Sequence, residues 1–293
     1  MFNFSNNNIM KLYKTNIIFS ILIILIILII VIFVFILIRS NKNIVEKYSD
    51  RVNNKMKKYN VIFAGTCRNV KSYIKKILEH IDNCGKKFNS YYLIVYENDS
   101  TDKTREILEK NKKSNYFYIF EDNIKEERRT VRLERGRNLM LDKIREINKN
   151  NYYQYLIIID LDNVNRNGTF VKTINNCFDN EDWDVISANQ KKRYYDTYAL
   201  RYNDLTYDCG AKMPVDGKKC GKIMIKFPPN KRIDVDSAFG GTTIYKLSSI
   251  PNHCKYNGKY DDGNEKCEHV DFNKCIKDSG KKIIIDTNFI NDG

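Results

Sequence analysis

Asp160 and Asp162 sit one residue apart, just beyond an unbroken apolar run from Tyr155 to Ile159. Side chains of an extended chain alternate with a period of two, so both carboxylates point to the same side if the strand continues. Two carboxylates so placed repel unless a positive charge lies between them. A hard divalent cation such as Mn2+ or Mg2+, itself carrying phosphate oxygens, suits that arrangement. A second acidic group, Asp99 and Asp102, follows another apolar and aromatic run, Tyr91 to Tyr96. Gly240 and Gly241 lie together within Ser237–Tyr245, where backbone without side chains can approach a ligand closely.

Each of these groups needs an element to hold it. The run ending at Ile159 is apolar on both alternating faces, as is a strand buried on both sides of a parallel sheet. Ligands of open α/β sheets bind beyond the carboxyl ends of the strands, where both acidic groups would fall. The pattern predicts further strands at residues 60–66, 91–96, 116–120, 183–189 and 281–286, with 194–201 as an edge strand. Helices are expected over 70–81, over 102–112 with Ser100 or Thr101 as cap, over 135–147, and from 267 onward. Residues 203–232 read as a long loop. Strands alternating with helices argue for an α/β domain with a mostly parallel sheet and right-handed crossovers. The stretch Ala64-Gly65-Thr66-Cys67 lacks the glycine spacing of a dinucleotide-binding turn, and no P-loop motif occurs.

The chain has 293 residues and a formal charge of +14. Residues 17–38 are apolar except for Ser20, enough helix to span a bilayer. No cleavage site for a secretory signal follows, so an uncleaved signal-anchor is expected. The organisation expected is a tail at 1–16, the anchor at 17–38, a stem at 39–58 and one folded domain at 59–293. Lys11 and Lys14 precede the span while Arg39, Lys42, Lys47 and Arg51 follow it. This balance does not favour a lumenal domain. Eight cysteines, all after the span, fit disulfides in an oxidising lumen, with Cys209–Cys220 and Cys254–Cys267 the expected pairs. The sequons at Asn98 and Asn167 point weakly the same way. Without a dense basic block interleaved with aromatics, nucleic acid is not an expected partner.

Six short motifs in order, Glu97–Thr104, Arg135–Asn138, Asp160–Asp162, Tyr195–Arg201, Phe239–Gly241 and Cys267–Asp271, together resemble a GT-A-type glycosyltransferase. Within that superfamily they look most like the fungal capsule-associated, cryptococcal-type α-mannosyltransferases. The resemblance implies a single GT-A (nucleotide-diphospho-sugar transferase) domain on a type II anchor, lumenal in an ER- or Golgi-like compartment. It implies a divalent metal, Mn2+ or Mg2+, held by Asp160 and Asp162 with His269. It assigns nucleotide-sugar binding to Asn98, Asp99, Arg137, Asn138, Asp160, Asp196, Gly240 and Gly241, and catalysis to Glu268 and Asp271. The function implied is sugar transfer from a nucleotide-sugar donor to a glycan or glycoprotein hydroxyl, mannose being one sugar in view. A membrane-anchored, catalytically inactive glycan- or nucleotide-binding protein of the same fold is the alternative. The chain departs from the family where Tyr198 stands in place of a common Trp.

Overall fold

The computed structural model describes residues 25–44, 54–203 and 225–292, with the single residues 23, 47 and 205. Two compact units divide the chain, Met1–Arg51 and Val52–Gly293. In the first, Leu25–Ile44 (α1) forms one exposed helix with a mean hydropathy of 2.5, long and apolar enough to cross a membrane. Part of the proposed stem, including Val45, Tyr48 and Val52, lies outside the described residues.

The second unit is an α/β domain. β1 (Asn60–Cys67), β2 (Ser90–Asn98), β3 (Tyr116–Glu121) and β4 (Tyr155–Ile159) fall close to the runs that predict them. β5 (Val185–Asn189), β6 (Arg232–Asp234), β7 (Thr242–Lys246) and β8 (Ile283–Ile290) complete one eight-stranded sheet in the order β3-β2-β1-β4-β7-β5-β8-β6. The half from β3 to β4 is parallel throughout. The other half is mixed: β7 runs antiparallel to both β4 and β5, and β6 antiparallel to β8, while β5 and β8 are parallel.

Period-two alternation splits each central strand between two core layers. Val61, Phe63, Ile157 and Ile159 join one layer with Ile74, Ile77, Leu78 and Ile81 of α2 (Ile74–Gly85). Those four recur at helical spacing, which is why α2 lies on that face. Leu108 of α3 (Thr104–Lys110) and Phe170 of α5 (Thr169–Thr173) join the same layer. Ile62, Ala64, Leu156 and Ile158 face the other way, against Met140, Leu141 and Ile144 of α4 (Arg129–Ile147) and Phe272 and Ile276 of α6 (Glu268–Asp278). Met56, expected in the stem, is fully buried in the first layer. Beside it, Lys57 donates from Nζ to Lys86 O at 2.7 Å and Phe88 O at 3.2 Å, and Tyr59 donates from its hydroxyl to Glu181. The folded chain therefore begins ahead of residue 59, at the amino-terminal ends of β1 and β4.

Several expected elements differ. Residues 194–201 form isolated bridges, Tyr194 to Ile225 and Arg201 to Ser237, instead of an edge strand. The Asp196 carboxylate accepts from Ala199 N and Gly240 N, which folds the segment into a turn. Neither Ser100 nor Thr101 caps α3: its N-cap is Lys103, and Asp102, one residue before, accepts from Thr104 N at 2.8 Å and from the Thr104 hydroxyl. α4 starts six residues before the expected Arg135, at Arg129. A buried Thr130 anchors its first turn, donating to Gly258 O and Glu265, a tertiary tie that periodicity does not record. Cys254 pairs with Cys275 and not with Cys267. Cys275 lies two turns into α6, whereas Cys267, just ahead of the helix, lines the cleft described next. Cys209 and Cys220 lie outside the described residues.

Candidate active site

A cleft of about 590 Å³ opens at the carboxyl ends of β1, β2 and β4. Its walls include Asn98, Arg137, Asp160, Asp162, Asp196, Glu268 and His269, seven of the residues that the sequence nominates. Asp160 follows the last residue of β4, and its backbone N–H donates to Gly241 O at 2.9 Å. Asn165, fully buried, donates from Nδ2 to Asp160 O and Gly241 O at 2.9 and 3.0 Å. Asp162 caps a short 3-10 turn, Asn163–Asn165, accepting from Val164 N at 3.0 Å.

Burial and the neighbouring Asp162 carboxylate push the proton affinity of Asp160 up to about 8, against the opposing pull of Arg137. Two carboxylates held this close in a desolvated wall are a ready place for positive charge. Arg137 supplies part of it. Its Nη2 stands 3.6 Å from Asp160 Oδ1 and its Nε donates to Glu268 Oε1 at 2.9 Å. The guanidinium is nearly inaccessible and lies over the rings of Phe239 and Tyr256. α4 comes close enough to β2 to deliver it because position 136 is glycine; a Cβ there would meet the Tyr96 ring at 2.3 Å.

His269 stacks on Phe239 at 4.0 Å and meets Tyr256 edge-on at 5.5 Å. Burial, then Arg137 and Arg129, hold its imidazole neutral. Both ring nitrogens are buried without a hydrogen-bond partner. A neutral imidazole in the same cleft wall as two carboxylates is a donor set that suits Mn2+ or a similar divalent ion. The three side chains do not converge as a closed ligand set, however. Among the described residues, the one trio of potential ligands within 4.8 Å is His253, Cys254 and Cys275, and its two sulfurs are joined to each other. Asp196 is raised to about 6 by burial, partly offset by its bonds from Gly240 N and Ala199 N.

Five nominated residues lie outside the cleft lining and contact neighbouring parts of the protein. Asp99 has a left-handed backbone, φ 47°, and accepts from Asn123 N and Ile124 N, so it holds the loop between β3 and α4. Asn138 exchanges two hydrogen bonds with the backbone of Tyr256, at 3.0 and 2.9 Å. Asp271 takes Lys266 Nζ at 2.5 Å and Asn257 Nδ2 at 2.9 Å, one helical turn from Glu268, and does not line the cleft. Gly240 and Gly241 adopt φ 62° and 77°, and the backbone they bring close is the protein's own. A Cβ would strike Ala188 O at 2.2 Å from position 240 and Val164 Cγ1 at 2.4 Å from position 241.

The cleft also contains Arg68, Arg129 and Arg132, which sequence reasoning passed over. The spacing of Arg129 and Arg132 was a usable signal, since residues three apart share a helix face. Asn165 had none: a single polar residue in a turn.

No family model matches the sequence, and no curated protein sequence matches it. Among solved structures, the chain is similar to TarS 1-349 of S. aureus, with 13% identity, a TM-score of 0.46 and coverage of 79% of this chain and 59% of that one. It is similar to the mannosyltransferase PcManGT from Pyrobaculum calidifontis in complex with GDP-Man and Mn2+, with 11% identity, a TM-score of 0.46 and coverage of 84% and 63%. It is also similar to glucosyl-3-phosphoglycerate synthase from Mycobacterium tuberculosis in complex with Mn2+, UDP and phosphoglyceric acid, with 10% identity, a TM-score of 0.38 and coverage of 68% and 60%. The chain spans about three-fifths of the length of each of these structures.

Proposed function

We propose that this protein is a divalent-metal-dependent GT-A glycosyltransferase, moving a sugar from a nucleoside-diphosphate donor to a hydroxyl of a glycan or glycoprotein. The observation that carries the reading is the pair Asp160 and Asp162 at the carboxyl edge of the parallel half of the sheet, in a cleft shared with Arg137 and a neutral His269 whose ring nitrogens make no hydrogen bond. In the reaction the bond from the anomeric carbon to the diphosphate oxygen breaks, a bond to the acceptor oxygen forms, and the acceptor proton is released. A bound cation supplies counter-charge to the departing diphosphate. Asp160 and Asp162 would hold it, with His269 within the same wall. Arg137 adds a fixed positive charge that needs no reorganisation as the leaving group develops its own. Glu268 has one oxygen committed to Arg137, so its role is to aim that cation, and Arg129 and Arg132 add positive charge along one face of α4. We read α1 as a signal-anchor and the domain as lumenal. The Cys254–Cys275 disulfide supports an oxidising compartment. Mannose, named by the sequence resemblance, is the first sugar to test.

The test is a screen of nucleotide-sugars against the purified protein with Mn2+ and with chelator. Asp162→Ala should melt at nearly the wild-type temperature without metal, yet lose turnover by orders of magnitude. It should also lose the melting increase that Mn2+ with nucleotide gives the wild type. Near-normal turnover by that variant, with an unchanged metal-dependent melt, would overturn the reading.

A further inference from the structure

The cleft acids lie on a loop, residues 160–169, whose regular structure is one short 3-10 turn and the start of α5. Asn165 fixes its first half from within. Its second half is held from the residues that follow β8. Asn291 donates its backbone N–H to Asn189 O at 3.1 Å and its side-chain amide to Gly240 O. Asp292 donates its backbone N–H to Val164 O at 3.0 Å. Its carboxylate accepts four hydrogen bonds from the loop: from Asn167 N, Gly168 N at 3.1 Å, Thr169 N at 3.3 Å and the Thr169 hydroxyl. Val164 N in turn donates to Asp162 Oδ1. Asp292 lies outside the cleft wall, so it acts through Val164 and not on a ligand.

We propose that Asp292 is a positioning residue that sets the separation of Asp162 from Asp160, an inference that rests on the functional reading above. Two facing carboxylates repel, and a loop free to relax would let them part. Hydrogen bonds to an ionised acceptor are the stronger kind, so four of them with the Val164 tie resist that relaxation. A cation then meets two acids held in a fixed arrangement, in the way outer partners orient metal ligands. Asparagine at 292 keeps the shape and the backbone tie but accepts at one oxygen, releasing about half of the loop donors.

The experiment measures Mn2+ binding by electron paramagnetic resonance, alone and with GDP or UDP, on wild type, Asp292→Asn and Thr169→Val, with thermal melts alongside. Thr169→Val removes one hydroxyl bond, so it reports if the Asp292 variant fails to fold. The expected result is a weakening of Mn2+ affinity by about tenfold in Asp292→Asn and a smaller weakening in Thr169→Val. Turnover at saturating Mn2+ should recover. Folded variants with wild-type Mn2+ affinity, or with turnover that excess Mn2+ does not restore, overturn the inference and leave the glycosyltransferase reading standing. A wild type that binds no Mn2+ under any of these conditions sinks both.

Discussion

Arg137 and Glu268 form an ion pair with side chains only 3% and 4% exposed, so each depends on the other for its charge to be tolerated. Removing one partner of a buried pair strands the other. Glu268→Gln should therefore cost roughly 3 kcal/mol of stability in urea denaturation, along with turnover. A variant of unchanged stability and no turnover would instead give Glu268 a direct part in the chemistry. Asp82 offers a second case, far from the cleft. Burial works against its charge, but Lys113 and Lys86, both at 2.7 Å, and the Tyr91 hydroxyl at 2.5 Å outweigh it and hold the carboxyl well below its ordinary value of 3.8. A folded-state value depressed below the unfolded one contributes its full stability above the unfolded value, and that contribution is lost as pH falls through the folded-state value. At pH 7, Asp82→Asn should lower stability by about 1 kcal/mol, because both lysines are substantially exposed. In pH-dependent denaturation the difference between the two proteins should begin to narrow below about pH 4 and close only as pH falls through the depressed folded-state value. At this scale the sequence exposed the acids, since Asp160 and Asp162 end an apolar run. It hid the residues that orient them. Asn165 and Asp292 act through contacts between segments far apart in the chain, and no local pattern marks such contacts.

Strands were the most legible elements, because a run buried on both faces leaves no other home for Val61–Ala64, Leu93–Tyr96 or Tyr155–Ile159. The three-residue β6 was invisible: Arg232-Ile-Asp is charged, and it forms an edge only because β8 presents an open side. The turn at Tyr195 and Asp196 was misread as a strand because its alternation reflects burial of Tyr194, Ala199 and Leu200 between loops, not pairing. Helix α6 illustrates why the disulfide was misassigned. Short spacing favoured Cys254 with Cys267, but helical geometry turns Cys275 toward the preceding loop. The observed bond closes 21 residues and ties that loop to the helix that starts with Glu268 and His269. Reduction, or Cys275→Ser, should cost about 3 kcal/mol. The melting temperature measured with and without dithiothreitol checks this, and an unchanged melt in the reduced protein would show that the helix holds without the bond.

Across the whole molecule, the folded unit reaches further toward the amino terminus than composition suggested. Met56 is fully buried against β1 and α2, and deleting a buried methionine side chain typically costs about 2–5 kcal/mol. A truncated protein beginning at Lys58 should melt well below one beginning at Val52, with equal donor turnover per folded molecule at low temperature. Equal melting temperatures would return residues 52–57 to the stem. The same entry point has a consequence for how the catalyst can be presented. The chain comes in at the foot of β1, and the cleft opens at its head, eight residues away, about 26 Å at ~3.3 Å per residue. Fastened to a bead or an electrode close to Met56 itself, the domain presents its mouth at the opposite end of β1 from the attachment. Polymeric or surface-bound substrates can then be offered to it without the support standing in their path.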